Sequence, residues 1–163
     1  MKHIVLLGPT GIGKSARALK MAHELKAEIV SVDSMQIYRY MDIGTAKLTL
    51  PEREGIVHHL VDIVDPDERF TVADFVDAVK KIIESAQQRN IPLIFCGGTG
   101  FYFNALIRGL AFVPADNDPE IRARLTAELE AQGSMSLWQR LAVVDPVTAA
   151  RVHSNDAFRL IRA

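Results

Sequence analysis

Cysteine is nearly absent from this chain: Cys96 stands alone, which excludes an internal disulfide and fits a reducing compartment. Long apolar runs are missing as well, and no segment approaches the roughly 20 residues that a membrane helix needs. Met1-Lys2-His3 leads straight into a strand-like run, without the apolar stretch and small-residue cleavage site of a signal peptide. An excess of charge of either sign is also lacking, with 19 Lys and Arg against 20 Asp and Glu and a net charge of −1. That balance excludes a global electrostatic drive toward nucleic acid or anionic membranes, so any such binding must rest on a local patch. There is no internal repeat and no low-complexity tract. These absences lead us to expect a cytoplasmic chain with no membrane partner; a monomer is expected as well.

What is present begins with Gly8-Pro9-Thr10-Gly11-Ile12-Gly13-Lys14-Ser15, which follows the apolar run His3 to Leu7 and opens a helix-like stretch. This is the phosphate-loop pattern in its strand-loop-helix setting. The glycines let successive backbone N–H groups turn inward on an anion, and the helix N-terminus adds its positive dipole. Lys14 is placed to bridge phosphate oxygens and the Ser15 hydroxyl to hold Mg²⁺. The chain is therefore expected to bind a phosphorylated ligand through Gly8 to Ser15.

With 163 residues and 48% hydrophobic composition, a sizeable core can be buried. Lys2 to Leu7, Glu28 to Val32 and Pro92 to Cys96 read as buried strands, and His59 to Val64 as a short extended piece. Between them, Lys14 to Leu25 has helical spacing at Ala18, Leu19, Ala22 and Leu25. Asp74 to Gln88 has it at Phe75, Ala78, Val79, Ile82, Ile83 and Ala86. The alternation predicts an α/β fold, a parallel sheet flanked by helices of the P-loop NTPase kind. Such sheets bind ligands beyond the carboxyl ends of their strands, where the phosphate loop, Asp33 and Thr99 all fall.

After Phe112 the pattern changes. Pro114 to Pro119 is turn-rich, and helices are expected from Asp118-Pro119-Glu120 onward, with Ile121, Leu125 and Leu129 on one face. Ser136 to Val143, Pro146 to Val152 and Asp156 to Arg162 follow as short helices. We expect a core domain over 1–113 and the start of a helical insertion over 114–163. The last helix is still running at Ala163 and few strands are present, so the chain reads as the N-terminal part of a longer protein.

Asp33 closes an apolar strand beside the phosphate loop, and three roles compete for it. It could cap a short helix after it by accepting a backbone N–H. It could hold Mg²⁺, as the acid after an apolar strand does in nucleotide hydrolases and kinases. It could be a general base that deprotonates an acceptor attacking the bound phosphate ester or diphosphate. Spacing does not choose among them. Beyond Lys81 every basic residue is Arg, from Arg89 and Arg108 to Arg159 and Arg162. Arg suits phosphate forks and base stacking, although interleaved acids also fit an ordinary solvated surface.

Further stretches form an ordered series: Asp33-Ser34-Met35-Gln36-Ile37-Tyr38-Arg39, Met41 to Lys47, His58 to Ile63, Val72 to Phe75, Gly97 to Phe103, Asp145-Pro146, Ala149 to His153 and Asn155-Asp156. With Gly8 to Ser15 they cover essentially the whole chain, and the series resembles the tRNA dimethylallyltransferases, also called tRNA isopentenyltransferases. Tyr40 stands where that family usually has Gly, and Val57 where Pro is common. The resemblance implies transfer of a dimethylallyl group from dimethylallyl diphosphate to N6 of an adenine next to the anticodon of tRNA. It implies catalytic roles for Asp33 as base, Lys14 and Thr10, with Gly8 to Ser15 binding the diphosphate and Mg²⁺ at Ser15 as cofactor. It further implies tRNA contacts at Asp33, Ser34, Met35, Gln36, Thr99, Arg122, Ala157, Phe158, Arg159, Leu160 and Ile161. The target base must be extruded from its stack to reach the crevice.

Other activities fit part of the pattern: prenylation of free AMP or ATP, phosphoryl transfer by a small-molecule kinase, or diphosphate binding without turnover. His58 and His59 are read as structural, because adjacent strand residues point to opposite faces. Cys96 is expected to be a buried small residue and Trp138 a core one. Phe101, Tyr102 and Phe103 are expected to pack in the core, with Phe101 a candidate for a prenyl pocket.

Overall fold

A computed structural model describes residues 2–108 and 119–163. The chain divides into two compact units, Met1–Ala111 and Phe112–Ala163. The expected boundary at 113/114 and the turn-rich stretch up to residue 118 lie outside the described residues.

In the first unit, β1 (Ile4–Leu7), α1 (Lys14–Leu25), β2 (Glu28–Val32), β3 (His58–His59), α2 (Val72–Arg89), β4 (Leu93–Gly97) and α3 (Gly100–Arg108) alternate along the chain. The four strands form one sheet in the order β1-β4-β2-β3, and every pairing is parallel. Consecutive parallel strands need crossovers: α1 supplies the one from β1 to β2 and α2 the one from β3 to β4, while residues 33–57, without an α-helix, join β2 to β3. The register aligns Leu7 with Gly97 and Gly97 with Val32. The residues that follow these three strands therefore emerge side by side at one edge of the sheet.

Side chains alternate across the sheet. Ile29 and Ile94 join Ala18, Ala22 and Ala27 in a buried cluster, with Ile4, Leu6, Leu19 and Cys96 packed against it. Small alanines on α1 let the helix lie close to the strands. Val30, Val32 and Phe95 are buried on the alternate positions. Helices α2 and α3 meet through Phe75 and Tyr102, whose rings stack with centroids 4.4 Å apart.

Several expected boundaries move for identifiable reasons. β1 starts at Ile4 rather than Lys2. The extended piece expected over His59 to Val64 shrinks to His58–His59 plus an isolated bridge between Tyr38 and Val64. Leu60 and Asp62 adopt left-handed φ values of 60° and 58°, which breaks the strand. α2 begins at Val72, ahead of the expected Asp74, because Thr71 and Asp74 form a reciprocal capping box. Leu25 is exposed despite its helical spacing. Of the aromatic triplet, Tyr102 is the core residue, whereas Phe101 is 61% exposed.

The second unit contains α4 (Pro119–Gln132), α5 (Ser134–Val144), α6 (Pro146–Ala149) and α7 (Ala157–Arg162). Leu137, Leu141, Ala149 and Leu160 form its buried cluster, and Leu125, Leu129, Trp138 and Ile161 pack against it. Trp138 is half-buried, and its indole N–H lies 3.0 Å from the Val152 carbonyl and 3.2 Å from that of Ala149. Ile121, expected on the same face as Leu125 and Leu129, is exposed. α6 stops at Ala149, short of the expected Val152. Asp145 caps the start of α6 and Asp156 that of α7, each through its carboxylate. Among the described residues no helix is long and apolar enough to cross a membrane.

Candidate functional site: a phosphate loop and an anchored carboxylate

The loop from Gly8 to Gly13 connects β1 to α1, with Gly13 at the N-cap of the helix. Gly11 and Gly13 have φ values of 87° and 81°, a conformation that side chains resist. No acidic residue lies in the first turn of α1, so the helix dipole faces a bound anion without competition. The Lys14 ammonium donates to the Pro9 carbonyl at 2.6 Å, which folds the side chain back over the loop.

At the end of β2, Asp33 is half-buried. Its Oδ1 accepts the backbone N–H of Met35 at 2.9 Å and that of Gln36 at 3.3 Å. The carboxylate thus caps a turn, not the short helix expected after it, since residues 34–38 form no helix, and the two bonds fix its direction. Both bonds fall on Oδ1, and among the described residues Oδ2 takes no hydrogen bond. Capping and chemistry are thus compatible, one oxygen for each.

At the end of β4, Gly97 passes so close to β2 that a Cβ there would sit 2.1 Å from the Val32 carbonyl oxygen. The Thr99 N–H donates to that same carbonyl at 3.1 Å. The Thr99 Oγ1 accepts the Ser34 N–H at 3.1 Å. Thr99 therefore ties the ends of β4 and β2 together through its N–H and its Oγ1.

A cavity of about 430 Å³ lies against these strand ends. Thr10, Gly11, Gly13, Lys14 and Ser15 form one wall, and Asp33, Ser31, Cys96, Gly97 and Gly98 belong to the sheet side. Thr45, Ala46, Leu48, Arg53, His58 and Val61, from the segment between β2 and α2, complete the lining. Of the expected site residues, the cavity gathers Thr10, Gly11, Gly13, Lys14, Ser15, Asp33 and Gln36. Gly8, Pro9, Ile12, Ser34, Met35 and Thr99 are not among its lining residues. Phe101, the candidate for a prenyl pocket, is not part of the lining.

Two residues read as merely structural turn out to face the cavity. The Cys96 thiol is half-buried there, and burial raises its pKa although the nearby Lys14 opposes this. His58 presents its ring to the cavity while Nδ1 faces the Ile56 carbonyl at 2.9 Å. That contact requires the proton on Nδ1, and burial keeps the ring below its ordinary pKa. His59 points elsewhere, with Nε2 2.7 Å from Glu28. The opposite orientations of the two histidines follow from strand alternation. Sequence reading missed Ser31, Leu48 and Arg53. None of the three lies in a motif stretch, and the neighbouring stretches Met41 to Lys47 and His58 to Ile63 gave no hint by their spacing that this segment folds onto one cavity.

The remaining expected residues lie in the second unit. Arg122 is exposed on α4. On α7, Phe158 is 70% exposed, Arg159 is exposed, and the Arg162 guanidinium lies 5.3 Å from the Phe158 ring centroid. Leu160, at 6% exposure, belongs to the helical core. Ile161 packs against the same core.

This architecture has close counterparts. A tRNA dimethylallyltransferase of Heliobacterium modesticaldum is 48% identical over 160 residues, covering 98% of the chain and 50% of that protein. The crystal structure of the full-length tRNA isopentenylpyrophosphate transferase of Bacillus halodurans matches at 42% identity with a TM-score of 0.66. It is covered over 53% of its length by 99% of this chain. A eukaryotic dimethylallyltransferase acting on tRNA matches at 30% identity with a TM-score of 0.78, 98% of this chain covering 40% of that one. The chain thus spans about half the length of the curated relatives it matches. The family model described as IPP transferase matches residues 36–163, from the turn that anchors Asp33 to the end of α7. The parallel sheet with its phosphate loop, the sequence identity and this match agree, and the chain belongs to the IPP transferase family.

Proposed function

We propose that this chain carries the catalytic core of a prenyltransferase that moves a dimethylallyl group from dimethylallyl diphosphate to the exocyclic N6 of an adenine beside the anticodon of tRNA. The observation that carries the reading is the juxtaposition, at three aligned strand ends, of a phosphate loop with a carboxylate that keeps one oxygen free. A kinase or nucleotide hydrolase uses such a loop to hold the phosphate it transfers. Here the loop amides and Lys14 hold a diphosphate that leaves, stabilising charge as it develops on the departing oxygen.

The exocyclic nitrogen is a weak nucleophile because its lone pair is delocalised into the purine ring. Asp33 is half-buried and already oriented through Oδ1, so Oδ2 is available to take the N6 proton. The C–O bond to the diphosphate breaks, the C–N bond to the adenine forms, and the proton passes to Asp33. The apolar part of the cavity wall, with Ile29, Leu48 and Val61, suits a five-carbon chain.

Mg²⁺ fits the donors present, since the Ser15 hydroxyl lines the same cavity as the phosphate loop and Asp33 stays free to act as the base. A hydroxyl is a hard oxygen ligand of the kind that shares Mg²⁺ with substrate phosphates and water. When bound it would neutralise charge on the diphosphate. Exposed Phe158 and Arg159 on α7 offer stacking and phosphate pairing of the kind an RNA partner uses. A single thiol supports work in the reducing cytoplasm.

The test is incubation with labelled dimethylallyl diphosphate and Mg²⁺ in the presence of unmodified tRNA or of AMP. Label in tRNA is the expected result. Label confined to AMP, label in neither acceptor, or phosphoryl transfer from ATP to a small alcohol rejects the reading.

A further inference from the structure

Lys47 is a buried cation away from the phosphate loop, with its side chain only 3% exposed. Its ammonium has three acceptors: the Tyr38 carbonyl at 2.7 Å, Asp42 at 2.9 Å and Asp62 at 2.7 Å. All three N–H donors are thereby matched. The second oxygen of Asp62 accepts from Arg53 at 2.9 Å. Burial alone would lower the Lys47 pKa, but hydrogen bonds donated to the two carboxylates, with their charge, outweigh it and hold the group above its ordinary value.

Desolvating a lysine is costly, and the fold does so in a segment already carrying backbone strain at Ala46 and Asp62, whose φ values are 53° and 58°. The purpose is visible one step away. The Asp62 N–H donates to the Gln36 carbonyl at 3.2 Å. The Gln36 side-chain amide donates to the Thr45 carbonyl at 3.0 Å and accepts from Ser31 Oγ at 3.1 Å. The Gln36 N–H in turn bonds Asp33. Gln36 therefore engages all its polar groups within the protein and joins the Lys47 knot to the carboxylate.

We infer that Lys47 is a positioning residue that acts through Gln36 to hold Asp33 in its working direction. The inference rests on the proposed prenyl transfer for what Asp33 does, but not for how it is held. It also gives Gln36 an architectural role beside the tRNA contact that the family resemblance implies.

Lys47→Met in the full chain tests it, with Asp42→Asn as a milder second variant that removes one of the two negative charges facing the ammonium. Amide hydrogen exchange at Met35 and Gln36 should rise about 10-fold in Lys47→Met and less in Asp42→Asn, with α2 amides such as Val79 unchanged. Affinity for dimethylallyl diphosphate should stay within about 3-fold, while the transfer rate at saturating substrate falls about 10- to 100-fold. A folded variant with unchanged exchange at Met35 and Gln36 overturns the inference. So does a uniform rise that includes α2, which marks ordinary loss of stability. Should the unsubstituted chain transfer no prenyl group, the functional reading fails, and the exchange comparison still decides how Asp33 is held.

Discussion

At the scale of single residues, Asp33 separates geometry from charge. Asparagine keeps an oxygen that can accept the Met35 and Gln36 N–H groups, so Asp33→Asn preserves the turn and removes the base. We expect prenyl transfer to fall about 10²- to 10⁴-fold with diphosphate affinity nearly unchanged, read by steady-state kinetics beside calorimetry. Loss of binding with residual transfer would assign Asp33 to the metal instead. Tyr40 is the second informative residue. It is 81% exposed and sits at a φ of 63°, a strained conformation for a bulky side chain, at a position where the family resemblance leads one to expect Gly. Tyr40→Gly should gain about 0.5–1 kcal/mol, the relief of strain exceeding the added chain entropy of Gly. A denaturant midpoint that moves down would refute this. Why this chain carries Tyr there has no account in the structure.

Elements were legible where one physical signal sufficed. α1 falls on the predicted residues Lys14 to Leu25, because the loop glycines start it and the apolar positions Ala18 and Ala22 are buried. β2 likewise matches Glu28 to Val32, a run buried on both faces. The misplaced boundaries belong to elements set by side-chain hydrogen bonds or by unusual backbone. α2 starts where Thr71 and Asp74 exchange bonds, and β3 ends where Leu60 turns left-handed. The capping box is testable by itself. Thr71→Ala removes the side-chain acceptor for the Asp74 N–H and should cost about 1 kcal/mol, with amide exchange rising in the first turn of α2. An unchanged midpoint would show that tertiary packing of Phe75 and Val76 alone holds the helix start.

For the molecule as a whole, stability should depend on pH through Glu28, at the amino ends of the strands and far from the chemistry. Glu28 is 7% exposed, paired with Arg89 and His59, and ties β2 to the end of α2 and to β3. The hydrogen bond from Arg89 is the largest influence; with His59 it outweighs burial and holds the carboxyl at about 2, against an ordinary 4.5. A depressed carboxyl stabilises the fold above its unfolded pKa, and that contribution disappears as pH falls from about 4.5 through 2. Allowing for the half-exposed Arg89, the loss is on the order of 2 kcal/mol. Thermal unfolding of the unaltered chain should drop across that window, and Glu28→Gln should flatten the drop. Equal slopes for both would place the acid sensitivity elsewhere.

The sequence by itself determined the phosphate loop, the α/β alternation and the candidacy of Asp33. Each of these rests on local chemistry: glycine conformational freedom, hydrophobic period and the residue that ends a strand. Only the tertiary structure decided what the Asp33 carboxylate touches, that the Thr99 hydroxyl binds Ser34, and that Leu160 is core. The same holds for the cavity wall built from Leu48, Arg53 and His58 and for the Lys47 knot behind it. These depend on bonds between residues far apart in the chain, made by side chains whose partners no local periodicity encodes. A buried lysine reads in sequence like any surface lysine, and only the meeting of Asp42, Asp62 and the Tyr38 carbonyl around it gives it a function.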